Sequence, residues 1–181
     1  MVITIDGLAG AGKSTVARLL ADRLGYRYLD TGAIYRAVTL AVLKGAEDAT
    51  EVAASGGWRR FLDDPRLRSS EVDEAVSAIA RTASVREALR DAQRDFLADG
   101  DAVAEGRDIG EVVWPQAELK VWLDADPDER ARRRGTDRVL ERDRRDASQT
   151  RVPADAAVVD TTGVAIEDVV ARIALLVAER Q

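Results

Sequence analysis

Neither cysteine nor histidine occurs anywhere in the chain, and this double absence removes whole reaction classes. No disulfide, thiolate nucleophile, zinc finger or Ser-His-Asp triad can be built from it. Lysine is scarce too: of 27 basic residues only Lys13, Lys44 and Lys120 are lysine, and the other 24 are arginine. A compositional bias of the genome produces the same excess, but it makes the lysine at position 13 conspicuous. No apolar run approaches the roughly 18 residues of a membrane span. The first residues lead directly into a short β-type run, without the charged and apolar regions of a signal peptide. Linkers rich in glycine, serine or proline, low-complexity tracts and internal repeats are all missing. A net charge of −6 argues against a broad nucleic-acid or membrane-surface footprint. The 181 residues are therefore read as a single soluble, cytoplasmic domain.

What is present is a regular alternation. Val2 to Asp6 is a β-branched run closed by Gly7, and a helical pattern follows with Val16, Leu19, Leu20 and Leu24 on one side. Tyr26 to Leu29, Ala102 to Ala104, Leu119 to Ala125 and Ala156 to Asp160 read as further strands, short and apolar as buried parallel strands are. Helices are expected over about 33–44, 70–81, 84–98, 127–134 and 165–179. Ile166, Val169, Val170, Ile173, Leu176 and Val177 form the core-facing stripe of the last. Asp126, Pro127 and Glu129 predict an N-cap, a first-turn proline and a capping-box acid. Strands alternating with helices imply an α/β fold with a parallel sheet, whose ligands bind at the carboxyl ends of the strands.

Between the first strand and first helix, Gly7-Leu8-Ala9-Gly10-Ala11-Gly12-Lys13-Ser14 fits G-x-x-x-x-G-K-[ST] in the context that this phosphate loop requires. Glycines let backbone N–H groups converge on phosphate oxygens, and the helix N-terminus adds partial positive charge. Lys13 is placed to reach the β- and γ-phosphates, and the Ser14 hydroxyl to ligate Mg²⁺, with Thr15 completing the ATP-binding set. Such a loop serves switches, motors and small-molecule kinases alike. The acceptor must be read elsewhere.

Five further segments, in order, decide it. Leu29-Asp30-Thr31-Gly32-Ala33-Ile34-Tyr35-Arg36 resembles the segment after the second strand of bacterial cytidylate kinases. Val72 to Arg94, with Ser77 and Val85-Arg86-Glu87-Ala88-Leu89, is similar to that family's monophosphate-binding helices. Ala104-Glu105-Gly106-Arg107-Asp108-Ile109-Gly110 resembles its Gly-Arg-Asp turn. Glu141-Arg142-Asp143-Arg144-Arg145-Asp146 is similar to its lid end, and Val159-Asp160-Thr161-Thr162-Gly163 to its closing strand. Together with the phosphate loop, these segments span nearly the whole chain.

The resemblance implies a three-layer P-loop fold over residues 1–181, with a five-stranded parallel sheet, a small helical acceptor-binding insertion at about 37–100 and a short lid at about 127–151. It implies transfer of the γ-phosphoryl of MgATP to CMP or dCMP by a monomer that acts on small molecules only, with Mg²⁺ as the cofactor. Thr31, Arg36, Arg107 and Arg142 then hold the acceptor's 5′-phosphate, for which guanidinium forks are natural partners. Ser77, Arg86 and Asp108 read cytosine, whose amino group donates and whose O2 and N3 accept. Asp146 accepts from a ribose hydroxyl. Lys13, Arg107, Asp108, Arg130 and Arg133 form the catalytic set, with Arg134 beside them, the lid arginines stabilising charge on the transferring group. An exposed helix 127–134 whose arginines only pair with its own acids is the plainer reading of that region. Either Glu105 or Asp108 orders the metal's water shell. Two departures stand out: the stretch between Arg36 and Ser77 is short, with little of the accessory sheet, and Gln149 stands where the family has arginine, with Arg151 two residues on. Rival readings are another small-acceptor P-loop kinase, such as an adenylate, uridylate or shikimate kinase, and a nucleotide-binding switch.

Overall fold

The computed structural model describes residues 1–46, 48–135, 139–147, 150 and 152–180, and of Val139 and Arg142 only the backbone. Its described elements are β1 (Val2–Gly7), α1 (Lys13–Leu24), β2 (Arg27–Asp30), α2 (Thr31–Leu43), α3 (Ala49–Ser55), α4 (Ser70–Arg81), α5 (Ala83–Ala98), β3 (Ala102–Gly106), β4 (Leu119–Asp124), α6 (Pro127–Arg134), α7 (Val139–Asp146), β5 (Ala157–Asp160) and α8 (Ile166–Ala178). Two 3₁₀ turns, Gly57–Phe61 and Pro65–Arg68, and a π-helical turn, Ile109–Val113, complete them. The chain divides into two compact units, Met1–Leu29 with Leu97–Gln181, and Asp30–Phe96.

The five strands form one sheet in the order β2-β3-β1-β4-β5. β1 is central, pairing in parallel with β3 (Ile3 opposite Val103) and with β4 (Ile5 opposite Val121), and β4 pairs in parallel with β5. Every residue of β1 and β3 is buried, as fits their mostly apolar sequences, and the burial extends to the polar Thr4, Asp6 and Glu105. Because side chains alternate, Ile3, Ile5, Val103, Val121, Leu123 and Val159 face one side. There they pack with Val16, Leu20 and Ala21 of α1 and Val169, Val170, Ile173 and Val177 of α8. Thr4 and Lys120 face the other side, where the π-helical turn lies so close that a Cβ on Gly110 would stand 2.7 Å from Thr4 Oγ1. Only glycine allows that approach.

The expected strands and most helices form within a residue or two of the periodicity. Leu19 is a correction: it is 40% exposed, because at 100° per residue it lies about 130° from the centre of the Val16, Ala17, Leu20, Ala21 stripe. Asp126 does cap α6, accepting from the Asp128 and Glu129 N–H groups. Glu129 pairs with Arg132 and Arg133 instead of returning to its cap, and the Asp126 N–H donates to Thr162 Oγ1.

Within the Asp30–Phe96 unit, α2 packs against α3, α4 and both 3₁₀ turns. Ile34, Val38, Leu40, Trp58, Phe61, Leu67, Val72 and Val76 are buried there. The described residues of this unit contain no strand other than the end of β2, as the short stretch before Ser77 leads one to expect. Helix α3 has a signal in the sequence after all: Asp48 caps it, accepting from the Thr50 and Glu51 N–H groups.

Candidate functional site

In the sheet-containing unit, motif residues gather where the strands end. The loop after β1 turns on Gly10 (φ 82°) and Gly12 (φ 92°), and α1 begins directly at Lys13. Gly10 is required twice over, because its φ is left-handed and a Cβ there would stand 2.8 Å from the Arg130 carbonyl oxygen.

Four carbonyls of this loop accept hydrogen bonds from side chains. Arg107 Nη1 donates to Gly7 O at 2.7 Å, Lys13 Nζ to Leu8 O at 2.8 Å and Arg130 Nη1 to Ala9 O at 3.1 Å, and the Thr161 hydroxyl shares its one proton between Ala11 O at 3.3 Å and Asp124 O at 3.1 Å. In a planar trans peptide the N–H points opposite to its C=O. Each such bond therefore turns the next residue's N–H, those of Leu8, Ala9, Gly10 and Gly12, away from the donor. Four oriented amides at the start of a helix are an anion-binding arrangement.

Ser14 Oγ donates to Glu105 Oε1 at 2.6 Å, so a hydroxyl and a buried carboxylate share the loop's end. These hard oxygens suit Mg²⁺, which takes one or two protein ligands and the rest from phosphate and water.

Beside them, Asp6 accepts from the Ile109 N–H at 2.9 Å and the Gly110 N–H at 2.8 Å, pinning the turn that carries Arg107 and Asp108 to the strand that carries the loop. Burial pushes the Asp6 carboxyl up to about 6, with the nearby Asp108 adding to the rise, while the two amides and Lys13 oppose it. Asp108 itself is buried. Arg107 also meets Asp146, Nη2 to Oδ2 at 3.2 Å, so two residues assigned to the acceptor from the sequence are brought together.

For Arg130 and Arg133 the plainer reading, an exposed helix whose arginines only pair with its own acids, does not hold. Arg130 is 2% exposed and spends its donors on Ala125 O at 3.1 Å, Ala9 O and Asp143 Oδ2 at 2.5 Å. Arg133 bonds Glu129 Oε1 at 3.0 Å, Thr161 Oγ1 at 2.9 Å and Thr161 O at 2.7 Å. Arg142 lies in α7 by its backbone, but its side chain, together with Gln149 and Arg151, falls outside the described residues.

The Asp30–Phe96 unit carries the other candidates. Asp30 caps α2 through the Ala33 N–H, which places Thr31, buried, as its first residue. Arg36 is buried on α2, donating to Leu67 O at 3.4 Å and pairing with Asp73. Asp73 and Ser77 are one helical turn apart on α4, and Ser77 is buried. Arg86 on α5 donates to Ala80 O at 3.4 Å.

Sequence reasoning gave no role to Asp6, Asp73, Asp143 or Thr161. An acid inside the strand before a phosphate loop was the available signal for Asp6. Thr161 gave none, since it meets Ala11 across 150 residues.

A family model described as cytidylate kinase matches residues 3–58 and 62–179. The cytidylate kinase of Pelotomaculum thermopropionicum is 42% identical, over 93% of this chain and 92% of that protein. That of Mycobacterium leprae is 41% identical, over 99% and 96%. These matches run over 207 and 215 residues, against 181 in this chain, so the relatives carry residues that it lacks. Among solved structures, a shikimate kinase from Bacteroides thetaiotaomicron shares the fold, with a TM-score of 0.59 at 16% identity over 98% of both chains.

Proposed function

Because the chain belongs to the cytidylate kinase family, we propose that it transfers the γ-phosphoryl group of MgATP to CMP or dCMP, giving ADP and CDP or dCDP. The observation that supports phosphoryl transfer is the phosphate loop, four of whose carbonyls accept from Arg107, Lys13, Arg130 and Thr161, and the acceptor rests on the family match. An acceptor phosphate oxygen bonds to the γ-phosphorus as the bond to the β–γ bridging oxygen breaks, and ADP leaves with that electron pair. No general base is needed, since the acceptor phosphate, with a second pKa of about 6, is already largely dianionic at neutral pH. That agrees with a chain lacking histidine and cysteine.

The chain's own work is then positioning and charge. The loop amides and Lys13 hold the donor phosphates. Ser14 would ligate Mg²⁺ and Glu105 would order its water shell; the ion supplies charge neutralisation on the β- and γ-oxygens when bound. The segment at about 37–100 serves as the acceptor-binding insertion, with Thr31, Arg36 and Arg107 on the acceptor phosphate and Ser77, Arg86 and Asp108 on cytosine, and the region at about 127–151 serves as the lid. Arg142 and Asp146 complete the acceptor set. Asp73 holds Arg36 ready for a dianion.

The test is ADP formation from MgATP with CMP, dCMP, UMP, AMP, GMP and shikimate offered in turn. CMP and dCMP should lead, and Lys13→Ala should lower kcat by at least about 100-fold. A lead by another acceptor would sink the cytidylate reading, and acceptor-independent hydrolysis would sink the kinase reading.

A further inference from the structure

Two of the four donors to the loop's carbonyls have a carboxylate behind them, and both carboxylates come from one face of α7. Asp146 pairs with Arg107 and Asp143, one turn earlier, with Arg130. The Arg130 pair is the deeper, with side chains 3% and 15% exposed. Asp143 Oδ1 is buried with no hydrogen-bond partner among the described residues, a condition that costs stability. Buried ion pairs are in general replaceable by apolar groups without loss of stability, so stability alone is a poor account of this one.

The loop supplies a better account. Arg130 touches the Ala9–Gly10 peptide from two sides: its guanidinium takes the Ala9 carbonyl, and its backbone lies where a Cβ on Gly10 would be. We propose that Arg130 and Asp143 are joint positioning residues for phosphoryl transfer: Asp143 fixes the guanidinium, the guanidinium fixes the Ala9 carbonyl, and the Gly10 N–H is thereby aimed at the donor phosphates. This rests on the site being a phosphoryl-transfer centre. It differs from a role for Arg130 as a phosphate ligand. For such a ligand Asp143 is a competitor, and removing it would free the arginine for phosphate.

That difference is the experiment. Asp143→Asn, Arg130→Met and the double variant Arg130→Met/Asp143→Leu are compared with the wild type below each protein's melting temperature. The readings are kcat, KM for ATP, KM for CMP and calorimetric affinity for MgADP. Positioning predicts that Asp143→Asn lowers kcat at least about tenfold, weakens MgADP and leaves KM for CMP unchanged. Arg130→Met should show the same loss, and the double variant no more than either. Wild-type or raised activity in Asp143→Asn beside an inactive Arg130→Met overturns the proposal in favour of direct phosphate contact. A folded double variant with wild-type kcat and MgADP affinity overturns it in favour of a purely structural pair. Should Asp143→Asn be unfolded at the assay temperature, the double variant, which strands no charge, decides by the same readings. A wild type that forms no ADP in response to CMP sinks the kinase reading alone, and MgADP affinity still reads the pair.

Discussion

At the end of the central strand, Asp6 holds two backbone amides in a place where water hardly reaches it. Its carboxyl is raised from 3.8 to about 6, so between those pH values the native state keeps a proton that the unfolded chain has released. Native stability from this group is therefore full below about pH 4 and falls as pH rises through 6, by roughly 3 kcal/mol in all. Asp6→Asn should flatten that part of the stability profile, measured by urea unfolding from pH 4 to 7. Below about pH 4 the variant should be less stable than the wild type by about 1–3 kcal/mol, because the amide offers one acceptor where two N–H donors need partners, and that deficit should close by pH 7, where the wild type has lost its own roughly 3 kcal/mol. A variant whose slope matches the wild type would place the raised carboxyl elsewhere. The motif made Gly10, Lys13 and Ser14 legible, since spacing alone marks a loop that wraps phosphate. Asp6 and Thr161 were not legible. Their importance lies in which carbonyl or amide they meet, and those partners are more than 100 residues away.

Elements with an apolar stripe could be read, and α6, which has none, was read from its cap signals Asp126 and Pro127. Helix α8 follows from its Val169, Val170, Ile173 and Val177 spacing, and the strands from their apolar runs. Helix α7, Val139–Asp146, has six charged residues among its eight, so periodicity is silent about it. What fastens it is charge: the Asp143 and Asp146 pairs and a Glu141–Arg145 pair at 3.3 Å. Above the range where carboxylates titrate, those pairs persist, but salt should weaken the exposed one most. Helix α6 depends on its cap. Asp126→Ala removes the acceptor for two N–H groups and should cost about 1 kcal/mol, read as a melting-temperature drop of roughly 2–4 °C. Because α6 carries Arg130 and Arg133, kcat should fall more than that loss of stability explains; an unchanged kcat would show that the arginines keep their places without the cap.

On the scale of the whole chain, one unit is a continuous segment, Asp30–Phe96, and the other is made of two pieces that flank it. The alternation of strands and helices told of the sheet, yet nothing in it told of this division, because sheet order is set by packing and not by local pattern. A ligand that binds only the folded chain stabilises it by mass action, about 2.7 kcal/mol at 100 times Kd. MgADP at that excess should raise the melting temperature by roughly 5–10 °C, and Lys13→Ala should abolish most of the rise. Equal shifts in both proteins would place nucleotide away from the loop. The central position of β1 also matters before the molecule is finished. Its partners begin at Ala102 and Leu119. At about 5–20 residues per second, a ribosome needs some 5–20 s or more to supply the first of them. For that interval β1, with Val2, Ile3 and Ile5, waits with both edges open, so a chaperone that holds the growing chain has a target in this strand until β3 has been made.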